Sequence, residues 1–151
     1  MADKQYIIFK LNEEKFAASI NHIASITEYS SITPLPNGPA YVDGLLNLRG
    51  DIIPVVNLKK RFKLKEQQMN QKRILIARKD DVQIGFLVDD ASQSMTVVEA
   101  NVLPPPSIAI KKENRYISEV CVHNDELIIV IDLDKVLTDE EIEELEELVS
   151  L

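Results

Sequence analysis

The chain has few of the residues from which enzymes and metal centres are built. It carries one cysteine, two histidines and no tryptophan in 151 residues. A single cysteine excludes an internal disulfide and a cysteine-rich zinc site; between Val120 and Val122, Cys121 reads as a strand core residue. Neither histidine, His22 or His123, has a nucleophile beside it in sequence, and no G-x-S-x-G, phosphate-loop or dinucleotide glycine pattern occurs. No catalytic residue and no cofactor is therefore expected. Asp89-Asp90 and Asp132-x-Asp134 could ligate a hard cation in principle. However, adjacent side chains on a strand diverge, and Asp132 is better placed as a helical cap, so no metal site is expected.

Long apolar runs are missing too. Nowhere do eighteen apolar residues stand together, and the start M-A-D-K-Q-Y has no apolar signal region, which leads to the expectation of a cytoplasmic protein without membrane insertion. An excess of positive charge is also lacking. Of the 25 acidic residues, seven lie between Asp139 and Glu147, and none of the 17 basic residues follows Lys135, so the rest of the chain carries a net charge of −1. Neither the neutral body nor the acidic tail offers the basic face that phosphates require, and nucleic acid is not an expected partner.

What is present is organised around Tyr41 to Phe62, Y-V-D-G-L-L-N-L-R-G-D-I-I-P-V-V-N-L-K-K-R-F. Two β-prone runs, Tyr41–Leu48 and Ile52–Val56, flank Arg49-Gly50-Asp51, a hairpin pattern in which glycine supplies positive φ. Asn57 is a good N-cap for a helical turn through Lys60. Pro54 donates no hydrogen bond, which predicts an edge strand or a bulge. Arg49 stands at the tip, where any polar residue would serve.

Further hairpins are predicted at Gln5–Leu11 with Lys15–Ser19, at Arg73–Lys79 with Val82–Asp89, and at Tyr116–Val122 with Leu127–Ile131. Val82, Ile84, Phe86 and Val88 share one face at period two. Ile20–Ala24 reads as one helical turn, Ile26–Tyr29 and Ser92–Val98 as strands, and Ser30–Pro39 as loop, while Pro104–Pro106 makes an extended surface segment. The polar segment Lys63–Lys72 is read as the connection between two halves. About ten strands result, with almost no helix before the end. Shifting the chain by 75 residues lays Tyr41–Phe62 on Tyr116–Leu137 without a gap, pairing Tyr41 with Tyr116, Val55 with Val130 and Asn57 with Asp132. The second tip, V-H-N-D-E, has nothing matching Arg49, so a duplicated framework does not itself require that arginine. Thr138 with Glu141 fits a capping box. It opens an acidic helix whose stripe of Ile142, Leu145, Leu148 and Val149 docks on the body, and folding is expected not to require it.

The run G-L-L-N-L-R-G-D-I-I-P-V-V-N-L, supported by I-T-E-Y, I-T-P-L-P, G-F-L-V-D-D, L-P-P-P-S and L-I-I-V-I-D-L-D-K-V-L, resembles the CheW-like family of bacterial chemotaxis coupling proteins along the whole chain. The resemblance implies a mainly all-β fold of two five-stranded Src-homology-3 (SH3)-like barrels packed together, spanning residues 3–137, followed by the acidic helix at 138–151. It implies an adaptor, not an enzyme, that bridges the CheA histidine kinase, through its regulatory domain, and the cytoplasmic tip of a methyl-accepting chemotaxis receptor. The adaptor is expected to be monomeric in isolation and to gather in receptor arrays at the membrane. Carried over by position, the receptor-facing residues are Ile26, Glu28, Gly44, Arg49, Leu87 and Val88, with Glu28 and Arg49 facing each other. No kinase-binding residue is assigned. Ala91–Ser94 is more polar than the family pattern, which puts local packing or a kinase contact there in question. The alternatives are an adaptor of another CheA-type pathway, such as twitching motility, or a stand-alone ligand-binding barrel, for which a basic or aromatic-lined face is missing.

Overall fold

The structure, a computed structural model, describes residues 3–107 and 114–149. In chain order the strands are β1 (Lys4–Leu11), β2 (Glu14–Ser19), β3 (Ser25–Glu28), β4 (Val42–Leu48), β5 (Asp51–Asn57), β6 (Arg73–Lys79), β7 (Val82–Val88), β8 (Asp90–Val97), β9 (Val102–Leu103), β10 (Ile117–His123) and β11 (Glu126–Ile131). The helices are α1 (Leu58–Arg61) and α2 (Asp139–Val149), with 3-10 turns at Ile20–His22, Glu99–Asn101 and Leu133–Lys135. The strands form a five-stranded sheet, β3-β6-β7-β5-β4, and a six-stranded sheet, β8-β1-β2-β11-β10-β9. The expected pair of β units is thus present, one of them enlarged by the short β9.

Several strands bury both faces, which explains why they read as continuous apolar runs rather than alternating ones. In β6, Leu75 joins a large core shared by both sheets, while Ile74 and Ile76 join the core proper to the five-stranded sheet. In β7, Phe86 and Val88 enter the shared core and Leu87 the other. On the six-stranded side, Phe9 and Ile131 point to the shared core, whereas Ile8, Val130 and Cys121 fill that sheet's own interior. Three layers of core result, and the central one holds the two sheets together.

The internal repeat is visible in detail. The N–H of Asn57 donates to the carbonyl of Tyr41 at 2.7 Å, and that of Asp132 donates to Tyr116 at the same distance. The β4–β5 register shifts between Val42 and Gly44, and the β10–β11 register between Ile117 and Glu119. Val55 pairs in parallel with Gly85 of β7, and its counterpart Val130 pairs in parallel with Ala17 of β2. The units are not successive halves, however. The five-stranded sheet is continuous from β3 to β7, and the other takes β1 and β2 from before it and β8 to β11 from after it. Lys63–Lys72 therefore joins two strands of one sheet, contrary to the expected link between halves. The true crossovers are the turn around Ile20–His22 and the single residue Asp89.

Pro54 also departs from expectation, because β5 is an interior strand. Its cross-strand partner Leu45 spends both its N–H and its carbonyl on Thr33, so Leu45 and Pro54 exchange no hydrogen bond. On the other side, pairing with β7 begins only at Val55. The missing donor of Pro54 is thus not needed. In Ala91–Ser94 the polar residues Ser92, Gln93 and Ser94 lie exposed on the edge strand β8, and Ala91 is buried in the shared core, so packing there is intact.

The capping box forms as expected: the Glu141 N–H donates to Thr138 Oγ1 at 3.1 Å and the Thr138 N–H to Glu141 Oε1 at 2.8 Å. The Arg61 guanidinium adds a two-pronged contact to the Glu141 carboxylate at 2.7 and 2.8 Å. Burial alone would push that carboxyl up, but the Thr138 N–H and Arg61 together hold it below its usual range. Its contribution to stability is therefore complete above the ordinary carboxylate pKa and is lost as pH falls through the lower, folded value. Compared with Glu141→Gln, the parent chain is expected to lose its stability advantage on acidification, as read by thermal melts from pH 7 downward. Leu145 is fully buried in the shared core, flanked by the partly buried Ile142 and Leu148. Leu145→Ala is expected to cost about 2–5 kcal/mol by denaturant titration. A chain ending at Leu137 is expected to remain β-rich by circular dichroism while melting at a lower temperature.

Candidate functional site

None of the four residues of β3 is buried, although the strand pairs with β6 over its full length. Side chains two apart on a strand share a face, so Ile26 and Glu28 project together. Ile26 is 38% exposed, and Tyr29, which follows, is 43% exposed with the Lys72 ammonium 4.8 Å from its ring centroid. An apolar side chain, an acid and an aromatic ring are thus presented from a strand that lies at one edge of its sheet.

Arg49 is also exposed, at the tip between β4 and β5, beside the half-exposed Ile52. Both loop residues have positive φ, 54° at Arg49 and 92° at Gly50, as a two-residue hairpin loop with native twist demands. The Gly50 N–H donates to Asn47 Oδ1 at 3.1 Å. Such loops favour Asn, Asp or Gly, and the equivalent tip has Asn124 and Asp125, both at positive φ. Arginine at the first position is a local misfit in a loop whose every other feature is regular.

The remaining sequence-derived candidates fall elsewhere. Among the described residues no ion pair or hydrogen bond links Glu28 to Arg49; Glu28 lies on β3 and Arg49 at the tip between β4 and β5. The cross-strand partner of Glu28 is Arg73. Leu87 is 7% exposed and Val88 1% exposed, each in a different core, so the folded chain offers little of either side chain to a partner. Gly44 serves the chain itself. Its φ is 152°, and a Cβ there would lie 2.1 Å from the Thr33 carbonyl oxygen, which accepts from the Leu45 N–H at 2.8 Å. The glycine lets the 30–39 loop lie against β4. Gly44→Ala is accordingly expected to cost about 2–4 kcal/mol in a chemical melt, through strain and a displaced loop. A substitution that merely blocked a partner would leave the melt unchanged.

A buried polar network escaped sequence reading. Lys59 Nζ lies 3.0 Å from Asp89 Oδ1, 3.1 Å from Asn12 Oδ1 and 3.0 Å from the Gln67 carbonyl. The other Asp89 oxygen accepts from the Asn12 N–H, and the Asp89 N–H donates to the Lys10 carbonyl at 2.9 Å. Lys59 and Asp89 side chains are 10% and 5% exposed. Lys59 comes from α1, which follows β5 of the five-stranded sheet, Asn12 from the β1–β2 turn of the other, and Asp89 is the crossover between them, so the network fixes one sheet against the other. In sequence, Lys59 is the first of K-K-R and looks solvated; only α1, capped by the Asn57 side chain, turns it inward.

The pattern of CheW-like domains matches residues 5–141 of the chain. A chemotaxis protein CheW from Thermotoga maritima is 36% identical over 134 residues, covering 88% of this chain and 87% of that one. One from Bacillus subtilis is 30% identical over 138 residues, covering 91% and 88%. The crystal structure of the scaffolding protein TtCheW from Thermoanaerobacter tengcongensis superimposes with a TM-score of 0.83 at 28% identity, over 93% of this chain and 92% of that one. The duplicated two-sheet architecture, the arginine-tipped hairpin and these likenesses, each spanning most of both proteins, agree: the chain belongs to the family of CheW-like domains.

Proposed function

We propose that this protein is a chemotaxis adaptor that couples the cytoplasmic tip of methyl-accepting receptors to the CheA histidine kinase. The observation that carries the reading is β3, a strand fully paired in the fold yet with no buried residue, whose Ile26 and Glu28 share an open face. An α-helical receptor tip offers the complementary surface, apolar side chains for Ile26 and a basic or polar group for Glu28. Arg49 supplies a second point of attachment, of opposite charge. Gly44, Leu87 and Val88 act behind this surface by holding the loop and strands that shape it.

The mechanism is one of geometry. An adaptor alters kinase output only as far as its contacts differ between receptor states, and two docking sites on a stiff body carry that difference across. The shared core and the Lys59–Asp89 network supply the stiffness. The scaffolding role named for the Thermoanaerobacter relative supports the same reading, as does the CheW name of the Thermotoga and Bacillus proteins. The test is co-sedimentation of the full chain with receptor fragments and CheA. It is expected to pellet with each and to raise the kinase activity of the ternary mixture. A chain that pellets with neither would sink the proposal.

A further inference from the structure

The internal repeat makes two corners of the fold equivalent, and they are charged differently. At the first, α1 follows β5 and meets the crossover residue Asp89, which leaves β7, the parallel neighbour of β5. There the Lys59 ammonium sits 3.0 Å from the crossover carboxylate. At the second corner, the turn Leu133–Lys135 follows β11 and meets the crossover turn Ile20–His22, which leaves β2, the parallel neighbour of β11. The 75-residue offset sets Asp132 in the place of Asn57 and Asp134 in the place of Lys59. A carboxylate therefore stands where the first corner has its cation, and the crossover contributes the His22 imidazole.

His22 Nδ1 lies 3.7 Å from Asp132 Oδ1, and Nε2 lies 3.9 Å from Asp134 Oδ2. One nitrogen and one oxygen from each carboxylate fall within 4.8 Å of one another. His22 Nδ1 is buried and has no hydrogen-bond partner. Asp132 Oδ1 caps the turn by accepting from the Asp134 N–H at 2.9 Å, which holds the two carboxylates in a fixed relation. Among the described residues no lysine or arginine forms an ion pair with either aspartate; the nearby Lys79 is committed to the Asp134 carbonyl and to Asp139. Two negative charges and a buried, unpartnered nitrogen converge without the cation that the first corner possesses.

We propose that His22, Asp132 and Asp134 form a site for a divalent metal ion of the zinc class, which supplies at the second corner the charge that Lys59 supplies at the first. One imidazole with two carboxylates suits zinc, cobalt or nickel better than calcium or magnesium, which prefer all-oxygen shells. Bonds of about 2.0–2.2 Å set ligand atoms roughly 3.3–3.6 Å apart around a tetrahedral ion; here one imidazole nitrogen and the two carboxylate oxygens lie within 4.8 Å of one another, so the side chains must close in by up to about an ångström and a half to hold it. The side chains are 31%, 18% and 41% exposed, which leaves room for that adjustment and an open side for water ligands. The ion would tie the crossover leading into β3 to the end of β11.

The test uses the full chain, freed of metal by chelation and titrated with Co²⁺ and Zn²⁺. One equivalent of Co²⁺ is expected to give visible absorption bands, and Zn²⁺ is expected to raise the melting temperature with increasing concentration, because an ion bound only by the folded state stabilises it. His22→Ala should abolish both effects, Asp134→Asn should weaken them, and His123→Ala should leave them intact. Asp132→Asn keeps the turn capped, so loss of metal binding with an unchanged metal-free melt would assign Asp132 to ligation. Absence of both signals at millimolar metal overturns the proposal, as does binding that survives His22→Ala.

Discussion

Arg49→Ala is expected to fold as the parent does and to fail in receptor coupling. The side chain is exposed at a hairpin tip, where substitutions shift stability by less than about 0.5 kcal/mol, and its backbone is already in the left-handed region at φ 54°. Arg49→Asn makes the test sharper. Asparagine suits that conformation better, so the variant should melt at or slightly above the parent temperature while activating CheA poorly. Greater stability with lower coupling would mark the arginine as retained for a partner, against the local preference of the loop. The measurement is receptor-dependent kinase activity beside a thermal melt, and normal activation by both variants would remove Arg49 from the site. Glu28→Ala is expected to reduce coupling as well. Because no ion pair joins the two residues, their defects should add in a double-mutant cycle. A strong departure from additivity would mean that a bound receptor brings them together.

Breaking the Lys59–Asp89 pair is expected to give the largest loss of stability. Removing one member strands a buried charge, which typically costs about 3–5 kcal/mol. In a domain of this size that lowers the melting temperature by roughly 10 °C or more. Asp89→Ala should be the worse of the single changes, since it also deprives the Asn12 N–H of its acceptor. The double variant Lys59→Met with Asp89→Asn should recover part of the loss, because the charge is gone and an acceptor for Asn12 remains. Melts of the two singles and the double decide this; a double as unstable as the sum of its parts would show that the two residues stabilise the fold independently.

The hairpins, the caps at Asn57 and Thr138, the 75-residue repeat and the loop at Ser30–Pro39 could all be read from the chain. Each depends on interactions within a few residues, or on a pattern of period two, and such local rules survive in almost any tertiary setting. Arg49 could be picked out for a related reason: comparing the two tips of a repeat isolates the residue that the framework does not require.

What the sequence alone could not determine is how its pieces are shared between the sheets. Equivalent hairpins are nearly interchangeable in pattern, so nothing local says that β1 and β2 pair with β8 and β11 while β3 to β7 pair among themselves. That choice decides the rest. It buries Leu87 and Val88 on opposite faces of one strand, presses Gly44 against Thr33, and leaves Glu28 and Arg49 without an ion pair between them. It also turns Lys59 from an apparently solvated basic residue into the centre of a buried network, and brings His22 to Asp132 and Asp134 across 110 and 112 positions of chain. Side-chain type and spacing fix which elements form, because those forces act over one or two turns. Burial and charge pairing between distant elements depend on packing, and only the assembled three-layer core specifies them.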